Sequence, residues 1–270
     1  MSLYSNTLQV IRHYLAGAVG DNISGQCGTT GATTTKIYAP FLWKPNDYYN
    51  DHFYEVYVYA GTNIGVTKRV IDWDLATYLL TVHSAYAAAC DATSYIELHH
   101  IFTEEEYRKA INLAIESLAK KYLIDIKDET IVLAADTYEY SLPLNFLYIH
   151  RIITEETADS GVFNASDEID SRDWSIIKSY PPKLKLHEDY YSITADKKLR
   201  LEGLGAQAIV SEDTDLIFLP PDWLVQKAII FLPKNKIGSN KLDETYRQAL
   251  IISGRDPVVR PYPAARKIIE

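Results

Sequence analysis

One helix divides two long tracts of strand-like sequence, and that division limits what the chain can become. Thr103-Glu104-Glu105-Glu106 sets a threonine and, three residues on, a glutamate in the positions of a reciprocal capping box. Beyond it Tyr107, Ile111, Ala114, Ile115, Leu118 and Tyr122 fall on one helical face. Acidic residues open this helix and Lys120-Lys121 close it, the order the helix dipole favours. Before it come Thr33 to Ala39, Phe53 to Tyr59, Thr67 to Asp72, Leu79 to Val82 and Tyr95 to Leu98, short β-type runs separated by turn signals such as Gly61-Thr62-Asn63. Their near-regular spacing predicts a small barrel or sandwich. After it the texture returns in Thr130 to Ala134, Tyr138 to Leu142, Leu147 to Ile153, Trp174 to Ile177, Tyr190 to Thr194 and Leu199 to Glu202, with a polar loop over Ser160 to Asp173 and a break at Pro181-Pro182.

Helical spacing recurs near both ends. Leu8, Ile11, Leu15 and Val19 predict a helix over 5–19, capped by Ser5, Asn6 or Thr7. Pro220-Pro221-Asp222 opens another, with Leu224, Val225, Ala228, Ile229 and Leu232 as its apolar face and Pro233 as its end or bend. A fourth is expected near Lys241 to Ile251, with Gly254 as its stop. An apolar helical face must be buried. The simplest expectation is an α+β fold in which about four helices form a bundle core and antiparallel β-rich segments are inserted between them. The expected divisions are a helical core from 1–20, 101–126 and 218–252, a β-rich insertion over 21–100, a second β-rich segment over 127–217, and an extended C-terminal tail over 253–270. Three prolines, Pro257, Pro261 and Pro263, favour an extended tail. Val258, Val259, Arg260, Tyr262 and Arg266 are the residues in it expected to dock on a partner.

The totals exclude several classes. A net charge of −9 argues against general nucleic-acid binding, which depends on Lys and Arg neutralising phosphates. Met1 to Asn6 lacks a basic start followed by an apolar run, and no apolar run is long enough for a transmembrane helix, so a cytoplasmically made, non-membrane protein is expected. The 21 Tyr against 7 Phe fit positions that are part core and part contact surface.

The catalytic constellations are missing from the sequence. Gly25 to Lys36 has glycines and a late lysine, but Thr35 stands where a phosphate-binding loop needs glycine. Gly203-Leu204-Gly205 lacks the third glycine of a dinucleotide fingerprint. His99-His100 is the most suggestive metal pair, yet adjacent strand residues point to opposite faces. Cys27 and Cys90 have no basic neighbour in sequence, and the acidic runs fit loops and helix starts. No catalytic, cofactor-binding or metal-ligating residue is assigned, and no enzyme activity is expected.

The order of segments nevertheless resembles the head-to-tail connector, or adaptor, proteins of tailed bacteriophages. The resemblance is carried by the helix Phe102 to Tyr122 leading into Ala135-Asp136-Thr137-Tyr138-Glu139-Tyr140-Ser141-Leu142-Pro143, and by Phe146-Leu147-Tyr148-Ile149-His150-Arg151-Ile152 directly after it. It continues in Leu199-Arg200-Leu201-Glu202-Gly203, Asp213-Thr214-Asp215 and Leu219-Pro220-Pro221-Asp222-Trp223-Leu224. The insertion from Gly61 through Arg69-Val70-Ile71-Asp72 to Tyr95-Ile96-Glu97-Leu98 is similar to segments of various phage virion proteins. The resemblance implies a structural subunit of the virion neck that forms a dodecameric ring. Its implied partners are the portal protein, further copies of itself and a downstream tail or neck protein. DNA would pass through the lumen without sequence-specific binding. Another virion structural protein (a tail terminator, tail tube or baseplate component) is the competing expectation, followed by a virion-associated polysaccharide-degrading enzyme and a carbohydrate-binding module.

Overall fold

A computed structural model describes residues 5–118, 122–143 and 145–254, together with the backbone of 267–268. The chain begins with β1 (Asn6–Thr7), α1 (Leu8–Ala18), β2 (Ile23–Gln26), β3 (Lys36–Tyr38), α2 (Tyr48–Asp51), β4 (Glu55–Ala60), β5 (Thr67–Asp74), β6 (Leu79–Val82) and β7 (Tyr95–His99). Then come α3 (Glu104–Glu116), β8 (Ile124–Val132), β9 (Glu139–Ser141), β10 (Phe146–Thr154), β11 (Trp174–Ile177), β12 (Lys183–Leu186) and β13 (Lys198–Gly205). The last elements are β14 (Leu216–Ile217), α4 (Pro221–Phe231), α5 (Lys234–Ser239), α6 (Asp243–Ser253) and β15 (Lys267–Ile268). The chain divides into two units, one built from 6–114 and 209–254, the other from 115–208 with β15.

In the first unit six strands make a curled antiparallel sheet of order β2-β7-β4-β5-β6-β3, and β1 pairs with β14 in a separate ladder. Its two edges meet at a bridge between Gly28 and Tyr38, where the Gly28 amide donates to the Tyr38 carbonyl at 2.9 Å. This near-closure leaves little edge unpaired and gives the sheet an inside. Val56, Val58, Val70, Leu80, Val82, Ile96 and Leu98 fill that inside, with Tyr49 and Tyr54 from α2 and its exit. Each such aliphatic side chain contributes about 1.5–3 kcal/mol on burial. Trp73 is buried among them, and its indole N–H donates to the Lys44 carbonyl at 2.9 Å. The strands for which a small barrel or sandwich was expected form a curled six-stranded sheet. Outside it α1 packs on α4, and α4 on α6.

The second unit holds two antiparallel sheets, β15-β10-β13-β8 and β11-β12-β9. Ile131, Ile149, Ile152, Leu199 and Leu201 of the first sheet share one apolar cluster with Trp174, Leu184 and Leu186 of the second. The unit is thus a small sandwich, each sheet covering the other's apolar face.

The expected helical bundle core is not what forms. The described chain is sheet-rich, 30% strand against 24% helix, and the curled six-stranded sheet takes the place of a bundle. The physical reason is that an alternating strand buries its apolar residues inside its own curl or against a second sheet, so the helices need not supply the core. The Tyr190 to Thr194 run is not a strand; the amides of Tyr190 and Tyr191 both donate to the His187 carbonyl, which winds it into a turn. The sequence reading passed over Ile23–Gln26, Lys183–Leu186 and Lys234–Ser239. Lys183-Leu184-Lys185-Leu186 does alternate as a half-buried strand should, but Pro181-Pro182 just before it obscured the period.

Several local expectations hold. Of the three candidate caps Thr7 is the one that caps α1, its hydroxyl accepting from the Val10 amide. The capping box closes both ways: the Thr103 amide donates to Glu106 Oε2 at 2.9 Å, and the Glu106 amide to Thr103 Oγ1 at 3.2 Å. Pro221 stands in the first turn of α4, and Gly254 ends α6. Of the tail, residues 255–266 lie outside the described residues.

Gly203 and Gly205 have a packing explanation. They sit in β13 opposite Ile149 and Phe146, where a Cβ would fall on the backbone carbonyl oxygens of Tyr148 and Asn145 respectively. Gly203→Ala is expected to destabilise the protein by about 2–3 kcal/mol, the range of a forced overpacking. Urea unfolding of variant and parent measures it.

Candidate functional site

The most organised polar site lies in the first unit and begins with one arginine. On α1 the positions 8, 11, 12, 15 and 16 face inward, and position 12 is Arg rather than an apolar residue. Arg12 is fully buried. A guanidinium carries five N–H donors in a fixed fork, and here each has a carboxylate oxygen. Nε donates to Glu97 Oε2 at 3.0 Å and Nη2 to Glu97 Oε1 at 2.7 Å. Nη2 also donates to Asp213 Oδ2 at 3.1 Å, and Nη1 to Asp213 Oδ1 at 2.5 Å. The last donor reaches Glu104 Oε1 at 3.5 Å. The Tyr57 ring lies 4.6 Å from the guanidinium carbon, and its hydroxyl donates to Asp213 Oδ2 at 2.8 Å.

Glu97 is equally complete. Besides the two bonds from Arg12, Oε1 receives His13 Nε2 at 2.8 Å and Oε2 receives His99 Nε2 at 2.9 Å. Gln9 Nε2 lies 3.0 Å from His13 Nδ1, so the neutral Nε2–H tautomer of His13 satisfies both contacts. His99 differs. Its Nδ1 faces the Asp21 carbonyl oxygen at 2.8 Å and its Nε2 faces Glu97, so both ring nitrogens meet acceptors. Both must donate, which requires the imidazolium form.

Asp21 forms a second centre. It follows α1 and Gly20, and its buried carboxylate accepts from the amides of His100 (2.8 Å), Ile101 (3.1 Å) and Phe102 (2.9 Å). It also accepts from the Tyr107 hydroxyl at 2.9 Å and lies 2.7 Å from His100 Nδ1. These amides belong to the turn that enters α3, an anion-binding nest occupied by the chain's own carboxylate. His99 and His100 therefore both reach Asp21, one at its carbonyl and one at its carboxylate, in the bend before the capped helix. Among the described residues no group of three or more His, Cys, Asp or Glu side chains is arranged to hold a metal ion.

The electrostatics follow from these contacts. Burial pushes the Glu97 carboxyl up, but the hydrogen bonds from His13, His99 and Arg12 outweigh it and hold the group far below the usual carboxylate range. Burial likewise opposes ionisation of Asp21, and the bonds from His100 and the Phe102 amide leave it lowered. Burial would lower the His99 pKa, yet the Glu97 bond and charge keep it raised. Glu104 goes the other way: burial raises it, and Arg12 and Arg108 do not fully compensate. The groups are engaged with one another, so this network clamps α1, β7, the start of α3 and the loop at residue 213 together.

His13, about one-fifth exposed, links the network to a surface groove. It lines this groove, of about 940 Å³ between α1 and α4, with Tyr14, Gly17, Ala18, Trp223, Val225 and Ile252. The missing side chain of Gly17 and the small one of Ala18 open the groove, and Tyr14, Leu250, Ile251 and Ile252 stand exposed at 54%, 44%, 70% and 47%. The tail residues expected to dock, Val258, Val259, Arg260, Tyr262 and Arg266, lie outside the described residues. The sequence reading missed Arg12, Asp21, Glu97 and Asp213. The available signals were an arginine on the apolar side of α1 and a glutamate inside the run Ile96-Glu97-Leu98. No protein-family model and no curated protein matches the chain.

Removing one partner from a buried ion pair typically costs about 3–5 kcal/mol. Glu97→Gln is expected to lose that much, whereas Glu104→Gln, which removes a charge that burial already disfavours, is expected to stay within about 1 kcal/mol of the parent. Chemical denaturation of the two variants compares them directly. The pH dependence has two limbs. His99, raised in the folded state, stabilises fully below about pH 6.5 and loses that contribution as pH climbs through its folded value. Asp21 and Glu97, both lowered, stabilise above about pH 4 and lose it as pH falls through theirs. Stability should thus peak in weakly acidic solution and decline toward alkaline pH; in His99→Gln the alkaline decline should flatten, as urea midpoints across pH will show.

Proposed function

We propose that the chain is a structural subunit of a tailed-phage neck, a head-to-tail adaptor that joins a dodecameric ring beneath the portal. The observation that carries this reading is the coincidence, on one unit, of a rigid charged clamp and an exposed apolar surface. Tyr14 of α1 and Ile252 of α6 line the groove beside Trp223, and Leu250 and Ile251 are exposed elsewhere on α6. Exposed apolar residues gathered on one surface are typical of protein contact sites. The order of segments in the sequence supports the adaptor reading, and an overall charge of −9 suits a channel through which DNA slides without sticking. With sheets in place of a bundle, the contact surface of this reading is the α1/α4/α6 side rather than a helical core.

Co-expression with the portal protein of the same virus tests it. The expected product is a portal ring carrying a full set of subunits, read from the mass of the purified complex. A bare portal ring beside free chain overturns the adaptor assignment and moves the subunit to a tail or baseplate position. Ile251→Asp combined with Leu250→Asp is expected to leave a folded monomer by circular dichroism that no longer co-purifies. Deleting 255–270 is expected to have the same outcome if the tail carries Val258, Val259 and Tyr262 to the partner; an unfolded product would end that role for the tail.

A further inference from the structure

The two cysteines lie far apart in sequence but together in the interior of the curled sheet. Cys27 follows β2, and its amide donates to the Ser94 carbonyl at 2.9 Å, which draws the loop leading into β7 against it. Cys90 lies in that loop. Both side chains are buried in the apolar cluster of the sheet. Their thiols are close enough to interact, each perturbing the other's ionisation. Asn63 Nδ2 also reaches Cys90 Sγ at 3.5 Å, and Asn63 is held by two bonds to the Ala88 backbone. Beside the pair, the Tyr86 hydroxyl is buried without a hydrogen-bond partner.

We infer that Cys27 and Cys90 form a modification site, an intramolecular dithiol that a hydroperoxide converts to a disulfide. Cys90 is the attacking sulfur, because Asn63 Nδ2 reaches its Sγ at 3.5 Å and so favours its thiolate. The neighbouring Cys27 thiol foremost, and then the Asn63 bond, outweigh burial and lower its pKa to about 7, while the same neighbour pushes Cys27 up. The Cys90 thiolate attacks one peroxide oxygen, the O–O bond breaks, and the departing hydroxide takes up a proton to become water. The Tyr86 hydroxyl is the free donor for the new sulfenic oxygen. The Cys27 sulfur then displaces that oxygen: the S–S bond forms, the S–O bond breaks, and the Cys27 proton leaves with hydroxide as a second water. The dithiol gives up two electrons and the peroxide receives them. The product links the end of β2 to the loop before β7 and closes a long loop, which restricts the unfolded chain.

Treating the full-length, folded protein with dilute hydrogen peroxide tests the site. Intact mass should fall by two hydrogens, and non-reducing peptide mapping should join the Cys27 and Cys90 peptides within one chain. Thermal unfolding should move up by several degrees and return on reduction with dithiothreitol. In Cys27→Ser a sulfenic acid at Cys90 should be trapped by dimedone, whereas in Cys90→Ser the Cys27 thiol should survive the same treatment. Two free thiols after oxidation, a link only between chains, or a link formed only in urea would each overturn the inference. The mapping of the parent protein decides this even if a variant fails to fold.

Discussion

The Arg12–Glu97 pair is the interaction on which the first unit depends. Two fully buried, oppositely charged groups are costly to remove from water, and their attraction compensates only when the remaining donors and acceptors are also met. Here they are met from separate parts of the chain. Asp213 takes the other prongs of Arg12, and His13 and His99 take the other lone pairs of Glu97. Each of these residues is useful only where the others are in place. The network therefore acts less as a source of net stability than as a specification of one arrangement of α1, β7 and the residue 213 loop. A slip of β7 by one residue would turn Glu97 away from Arg12 and leave an unpaired charge in the core.

The Asp21 nest and the capping box continue that specification into α3. Asp21 accepts from the amides ahead of the helix, Thr103 and Glu106 satisfy each other's amides, and Lys236 of α5 meets Glu106 at 2.7 Å. Helix starts usually leave several N–H groups to solvent. Here the Glu106 amide is met by Thr103 Oγ1, and the three amides just ahead of the helix are met by Asp21. The entry to α3 is thus fixed by polar contacts as firmly as its body is fixed by Tyr107, Ile111 and Ile115.

Much of the local structure is legible in the sequence, and the reasons are local. The capping box, the Thr7 cap, Pro221 and Gly254 act within a few residues, so their chemistry is visible without the fold. Most strands announce themselves by alternation. The core does not, because helical and strand-like apolar patterns both demand burial and neither states what covers them; the bundle expectation failed on that point. The charged site was illegible for a related reason. Arg12, Glu97 and Asp213 are ordinary residues in their own neighbourhoods and become a site only across separations of 85 and 201 positions. His99 attracted notice for its neighbour His100, yet its actual partners are Glu97, two residues back on the same strand, and the Asp21 carbonyl.

Those separations also have a consequence in time. A chain leaves the ribosome from its amino terminus, and non-local contacts wait for their second half. Glu97 becomes available to Arg12 early, once β7 has been made, but Asp213 follows only after the whole second unit has been synthesised. Until then the guanidinium is held on one side only, with donors still turned to water. The first unit is interrupted by the second in the order of translation, and the Arg12–Asp213 contact can be made only when that insertion has already had the opportunity to fold. Closure of the Arg12 clamp is in this sense a report that the inserted second unit has been made.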